Sequence, residues 1–231
     1  MNGSLRVATF NTKRLGRGQH ARAEVIAEHL VRLTPDLVAL QEVDDAAAAH
    51  VALRAGFSQC TFVGHSPNGR RGVALLHRDE AITRDGAKVP ARWRDDKGYA
   101  RIVLKLAGRE LEVVALHLDW ASRRARGDQL RRMAELLPPR AARIVLGDLN
   151  AMNVGAILRR RIVDDTVAEV SRALAVAPPP ELVPTFPARA PRWALDAVLA
   201  SAPLAVTTVQ VAPSAHSDHA ALVATIAWGT A

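Results

Sequence analysis

The chain has 231 residues and a formal net charge of +8, and no polar, low-complexity stretch divides it, so residues 1–231 are expected to form one domain around one large core. Its single cysteine, Cys60, excludes an internal disulfide and any paired-cysteine metal site, and no apolar stretch approaches the roughly 20 residues needed to span a bilayer. With no apolar signal core after Met1, a cytoplasmic monomer without a transmembrane segment is the expectation.

Leu5 to Phe10 is an apolar run that delivers Asn11 at its end. Gln19 to Leu33 carries Val25, Ile26, Leu30 and Leu33 at helical spacing, and Thr34-Pro35 stops it. Asp36 to Glu42 is short and continuously apolar, as a buried strand is, and ends on Glu42. Asp44 or Asp45 can cap a second helix running through Arg54, with Gly56 beyond its end. Gly72 to His77, Ala100 to Leu106 and Leu111 to His117 read as three further strands, the last two joined by Ala107-Gly108-Arg109-Glu110 as a hairpin.

Arg123 to Leu137 reads as a helix closed by Pro138-Pro139, Arg143 to Leu146 as a strand, and Val154 to Arg161 as a short helix. The proline-rich stretch from Ala175 to Pro184 reads as a surface loop. Trp193 to Ser201, Val206 to Val211 and Ala220 to Trp228 are strand-like. Helices early and late with hairpin strands between them predict an α/β fold in which two mixed β-sheets pack face to face with helices outside.

Six strand-like segments thus each deliver a residue able to hold a metal or move a proton. They place Asn11, Glu42, His117, the pair Asp148 and Asn150 in Leu-Gly-Asp-Leu-Asn, Asp196 in Trp-Ala-Leu-Asp, and Asp218-His219 after Ser217. Each has a plain structural alternative: Glu42 as a helix cap, Asn11 as a turn residue, His117 as a core histidine. The remaining histidines, His20, His29, His50, His65, His77 and His216, read as structural or solvated. Asp119, Asn153, Asp164 and Asp165 are not assigned to the site.

Taken in order from Ala8-Thr-Phe-Asn11 to Ser217-Asp-His219, these residues resemble the endonuclease/exonuclease/phosphatase superfamily, which includes deoxyribonuclease I-like metal-dependent hydrolases. Leu40-Gln-Glu-Val43, Gly72-Val-Ala-Leu-Leu76, Arg126-x-x-Gln129 and Thr185-Phe-Pro187 add to the likeness. The resemblance implies a four-layer sandwich with its site at one end of the two sheets, and hydrolysis of phosphoester bonds by a phosphodiesterase or nuclease. It implies that Glu42, with Asn11 and Asp218, holds Mg²⁺ or Mn²⁺. Asp148 would then activate water, Asn150 bind that water or a phosphoryl oxygen, and His117 and His219 stabilise the transition state, with Asp196 orienting His219. The alternative is a non-catalytic module binding nucleic acid or another polyanion on the same fold.

Two departures narrow the substrate. Abasic-site nucleases of the family carry Lys two places after the metal-binding Glu, where this chain has Asp44, and a Tyr-x-Pro-Asn segment where it has His117-Leu-Asp-Trp120. DNA or RNA remains an expected partner, on the strength of the charge and of Arg123, Arg124, Arg126, Arg131 and Arg132 on one helix. Wrapped at 3.6 residues per turn, Arg124 and Arg131 share one side of that helix and Arg123 and Arg126 another.

Overall fold

The computed structural model describes residues 4–66, 68–89, 97–106, 108–151 and 164–229. In chain order the elements are β1 (Ser4–Leu15), α1 (His20–Leu33), β2 (Leu37–Asp44), α2 (Asp45–Arg54), β3 (Gln59–Gly64), β4 (Arg71–His77), β5 (Ala81–Val89), β6 (Lys97–Leu106) and β7 (Arg109–His117). There follow α3 (Arg123–Leu136), β8 (Arg143–Asp148), α4 (Thr166–Leu174), β9 (Asp196–Ala200), β10 (Leu204–Ala212) and β11 (Ala221–Trp228). One sheet has the order β10-β11-β1-β2-β4-β3 and the other β5-β6-β7-β8-β9.

Strand pleating separates three apolar layers. Val7, Leu37, Ala39, Val73 and Leu75 of the first sheet meet Ile102, Val113, Ala115, Ile144, Leu146 and Val198 of the second. The alternate residues Ala8, Phe10, Val38 and Leu40 pack under Ile26 and Leu30 of α1 and Val51 of α2. Val114, Leu116, Val145 and Leu199 pack under Leu130 and Met133 of α3 and Val167 and Val170 of α4. The result is the expected four-layer sandwich, and burial on both faces explains why the central strands read as unbroken apolar runs.

Strand direction decides where polar residues collect. β1 and β2 are parallel, as are β7 and β8, so all four finish at one end of the sandwich. β4, β6, β9 and β11 are antiparallel to these neighbours and begin there. The α2 cap is Asp44, whose carboxylate accepts from the Ala46 N–H.

Three described elements were not expected from the sequence: β3, β5 and α4. α4 changes the reading of the arginine-rich helix. Arg126 is buried, donating to Asp164 at 2.6 Å and to Thr166 Oγ1 at 2.8 Å. Arg123 lies 2.6 Å from Asp165 and 3.2 Å from Glu169. Two of the five arginines that point to a nucleic-acid partner, Arg123 and Arg126, are therefore occupied in tying α3 to α4, because acids at the start of α4 meet them. The helix expected over 154–161 lies outside the described residues.

At the far end of the second sheet Glu112 and Arg143 pair in register on β7 and β8, both almost fully buried. Glu112 Oε1 accepts from Arg101 Nε at 2.6 Å, and its other oxygen accepts from Arg143 Nε, while Arg143 Nη1 donates to Leu174 O at 2.8 Å. Removing one member of such a network leaves an uncompensated buried charge, which costs about 3–5 kcal/mol. Glu112→Ala is expected to lower unfolding free energy by about that amount in urea titration; a loss below about 1 kcal/mol would show that the network carries little of the fold.

Candidate active site

Parity within the strands aims most of the site inward. On β1 the inter-sheet face is Val7, Thr9, Asn11; on β7 it is Val113, Ala115, His117; on β8 it is Ile144, Leu146, Asp148; and on β9 it is Asp196, Val198, Ala200. The polar residue in each case continues an apolar face to the end where the sheets finish together. Glu42 has the opposite parity to Leu37 and Ala39, so a regular β2 would turn it toward the helices. The strand pairing shifts between Gln41 and Val43, and Glu42 has φ 56°, an irregularity of the kind that re-aims a side chain. β1 is interrupted likewise after Asn11, with Lys13 and Arg14 at φ 47° and 58°.

Asp148 is the hub. It is almost fully buried and receives Asn11 Nδ2 on Oδ2 at 2.8 Å, across the seam between sheets, and the Asn150 N–H on Oδ1 at 3.0 Å. His117 Nε2 and His219 Nε2 stand 3.7 and 3.9 Å from the same Oδ2. His219 Nδ1 donates to Asp196 Oδ2 at 2.9 Å, and the Thr185 hydroxyl donates to that oxygen at 2.6 Å. Asn150, at φ 50°, donates its side-chain amide to Leu118 O at 2.9 Å, which holds it beside Asp148.

The second cluster is looser. Asp218 lies 3.1 Å from Lys13 Nζ, and Glu42 lies 4.0 Å from Arg14 Nε, beyond a normal hydrogen bond. The Ser217 hydroxyl donates to Asn11 O at 2.7 Å. Arg22 reaches from α1 to the carbonyls of Lys13 (3.1 Å), His216 (2.9 Å) and Thr12. One guanidinium thereby fastens the irregular end of β1 to the segment that carries Asp218. A cavity of about 90 Å³ opens between Glu42 and His117, with Arg14, Arg71 and Lys97 on its wall and the exposed Trp120 beside it.

All eight residues expected from the sequence thus lie at one end of the sandwich. Several neighbours were not foreseen. Lys97 Nζ sits 2.9 Å from His117 Nε2, and His65, read as structural, has its ring 5.5 Å from that of His117. Phe186 packs at 5.1 Å against the His219 ring and stacks on Trp193, so that this loop encloses His219. The signal for Lys97 was its pairing position: a strand beginning at 97 rather than 100 sets it one residue beyond His117. Asp119, left out of the site, accepts from the N–H groups of Ala121 and Ser122 ahead of α3.

Electrostatics divide the titratable groups. Burial pushes Asp148 up to about 6, opposed by His219 and reinforced by Asp196. Burial works against protonation of His219 too, but Asp196 and Asp148 outweigh it and carry the imidazole up to about 10. Burial and then the Lys97 ammonium hold His117 well below the usual histidine range. Burial thus favours the neutral forms of Asp148 and His117, while Asp196 and Asp148 favour the protonated form of His219.

Among the described residues, Asp148, Asp196 and His219 form a buried group whose ligand atoms all lie within 4.8 Å, and such an Asp/Asp/His cluster can chelate a metal ion. The donors throughout are oxygen and imidazole nitrogen. Cys60 packs against the core beneath α1 and α2, its thiol pushed up to about 12 by burial.

The sequence matches the model of the endonuclease/exonuclease/phosphatase family over residues 8–219. Among curated proteins none matches it. Similar solved structures include an endonuclease/exonuclease/phosphatase from Beutenbergia cavernae, 20% identical with TM-score 0.76, covering 99% of this chain and 72% of that one. Sphingomyelinase C from Streptomyces griseocarneus is 22% identical with TM-score 0.70, over 96% and 99% of the two chains. A mannosyl-6-phosphatase from Bacteroides thetaiotaomicron is 15% identical with TM-score 0.73, over 97% and 100%.

Because His219 has a folded value above its ordinary 6.5, its pairing with Asp196 and Asp148 stabilises the fold fully below about pH 6.5 and loses that contribution as pH rises through about 10. Asp196→Asn is expected to lower the His219 pKa by at least about one unit in an NMR pH titration. An unmoved titration would show that Asp196 does not set the imidazole's charge.

Proposed function

Since the chain belongs to the endonuclease/exonuclease/phosphatase family and its buried cluster supports metal-dependent phosphoesterase chemistry, we propose that it is a phosphodiesterase or nuclease in which Asp148 activates water. The observation that carries this reading is the Asp148 carboxylate itself. It is buried, pushed up to about 6 by that burial and so poised to exchange a proton near neutral pH, and fixed on both oxygens by Asn11 and Asn150.

In this reading Asp148 accepts the proton of the attacking water, and His219 donates from Nε2 to the phosphoryl oxygens as their charge grows. Asp196, itself held by Thr185, keeps that imidazole oriented and protonated. Asn150 holds Asp148 and presents its remaining amide atoms to the water or to a phosphoryl oxygen. His117 flanks the phosphate. Glu42, Asn11 and Asp218 would hold Mg²⁺ or Mn²⁺, since hard oxygen donors suit those ions. When bound, the cation supplies positive charge against the phosphoryl and leaving oxygens.

The assignment to Glu42 rather than to the Asp148/Asp196/His219 cluster rests on what those atoms already do. Asp196 Oδ2 already accepts two hydrogen bonds, from the Thr185 hydroxyl and from His219 Nδ1. Glu42 stands on a bulge at the cavity wall, and the Arg14 guanidinium is 4.0 Å away, too far for a normal hydrogen bond to hold its carboxylate. Two structurally similar proteins are named as a sphingomyelinase and a sugar phosphatase, so the fold serves more than one phosphoester class and the substrate is chosen by the surroundings of the site.

Hydrolysis of bis-p-nitrophenyl phosphate, plasmid DNA and RNA should require Mg²⁺ or Mn²⁺, stop in EDTA, rise with pH through about 6 and fall near about 10. Asp148→Asn should lose about 10²-fold or more in turnover while remaining folded by circular dichroism. Glu42→Gln should raise the metal concentration giving half-maximal activity, whereas Asp196→Asn should lower turnover at an unchanged metal requirement. The reverse pattern would move the cation to the buried cluster, and full activity in excess chelator would refute the metal-dependent reading.

A further inference from the structure

The end of β1 departs from regular sheet just where it reaches the site. Its pairing with β2 runs through Asn11 and Gln41 and returns only at Leu15 and Val43, and within that gap Lys13 and Arg14 take left-handed conformations, φ 47° and 58°. Two such residues in succession are unfavourable for side chains with a Cβ and persist only where the surroundings fix them. Arg22, in the first turn of α1, does the fixing. Its Nη1 donates to Lys13 O at 3.1 Å and to Gln19 Oε1 at 3.0 Å, its Nη2 to Thr12 O, and its Nε to His216 O at 2.9 Å. All four acceptors are neutral oxygens, so the guanidinium is spent on holding the chain in place rather than on an ion pair among the described residues.

The two segments it joins both carry site residues. Asn11 stands just ahead of Thr12 and reaches Asp148 through its amide, while Asp218 and His219 follow directly after His216-Ser217. The Lys13 N–H donates to Asn11 Oδ1 at 2.9 Å, so a fixed Lys13 also fixes the direction of the Asn11 amide. Two other ties cross the join: the Ser217 hydroxyl on Asn11 O at 2.7 Å, and Lys13 Nζ at 3.1 Å from Asp218. The first is a single neutral hydrogen bond, and the second uses a lysine side chain that is 58% exposed, where ion pairs contribute little. Hydrogen bonds from an ionised donor are about twice as strong as neutral ones, and Arg22 places several across the join at once.

We propose that Arg22 is a positioning residue of the hydrolytic site: its guanidinium sets the spacing between the Asn11 end of β1 and the segment carrying Asp218, and so the geometry in which those two side chains hold the divalent cation. The proposal deepens the phosphoesterase reading and rests on it. Arginine suits the task because its planar fork spans acceptors on two segments, whereas a lysine ammonium is a compact point charge.

Metal binding tests this without any turnover. Calorimetric titration of Mn²⁺ should show affinity about 10- to 100-fold weaker in Arg22→Ala than in wild type, the usual loss when a group that orients metal ligands is removed. Arg22→Lys should recover little of it, whereas added ethylguanidinium, which supplies the missing atoms, should return affinity to Arg22→Ala and leave wild type unchanged. Hydrogen exchange of the metal-free proteins is the second readout: the Lys13 and His219 amides should exchange at least about tenfold faster in Arg22→Ala while Val113 and Val145 keep the wild-type rate. Should Arg22→Ala not fold, Arg22→Gln is measured in the same way. Wild-type Mn²⁺ affinity in a folded variant, full recovery by lysine, or equal acceleration of all four amides would each overturn the proposal and leave the phosphoesterase reading standing. Mn²⁺ binding that depends on Arg22 in a wild-type protein with no hydrolytic activity would uphold the positioning role and remove the phosphoesterase reading instead.

Discussion

The structure turns on a buried carboxylate placed where two sheets meet. An ionised Asp148 in an apolar sandwich would carry a large desolvation penalty if left alone. It is compensated by donors from both sheets, the Asn11 amide from β1 and the Asn150 N–H from its own loop, and by the His219 imidazolium nearby. This compensation demands that β1 and β8 end at the same height. A slip of one residue in either strand would turn Asn11 or Asp148 to the helix side and bring an apolar neighbour, Phe10 or Gly147, to the seam.

The same two strands of the second sheet are pinned by charge at both ends. β7 and β8 pair Glu112 with Arg143 at one end and His117 with Asp148 at the other, with Val113, Val114, Ala115, Ile144, Val145 and Leu146 between. Register is therefore specified twice, once by a network with no place in the site and once by the site itself. Parallel strands need this, because their slanted hydrogen bonds alone do not choose among registers. The closed ion network at the far end lets the other end keep its polar groups turned to one another and to a cavity.

The central strands were legible because burial on both faces leaves uninterrupted apolar runs, and the end of each run pointed to a polar residue that lies at one end of the sandwich. β5 was hidden because it is an edge strand: Thr83, Arg84, Asp85 and Lys88 carry the polarity that protects an edge, and the pattern resembles a loop. β3, the other sheet's edge, mixes Gln59, Cys60 and Thr61 with Phe62 and Val63 and gave no clean period. The site's inner circle could be read as residue types, but its second circle could not. Lys97 reaches His117, Thr185 reaches Asp196 and Phe186 reaches His219 through pairing register and a loop, neither of which leaves a local periodicity.

The chain's basicity takes on a different meaning once these contacts are known. Along α3 it is largely spent within the fold, Arg126 on Asp164 and Thr166, Arg123 on Asp165 and Glu169, Arg131 on Asp128. The cations that surround the site come instead from the strand irregularity that carries Lys13 and Arg14, from Arg71 at the start of β4, and from Lys97 at the start of β6. Their placement follows from the topology, since the same end of the sandwich gathers both the finishing parallel strands and the starting antiparallel ones. Positive charge is thus concentrated at the end of the sandwich that holds Asp148, while much of the charge along α3 is paired within the fold.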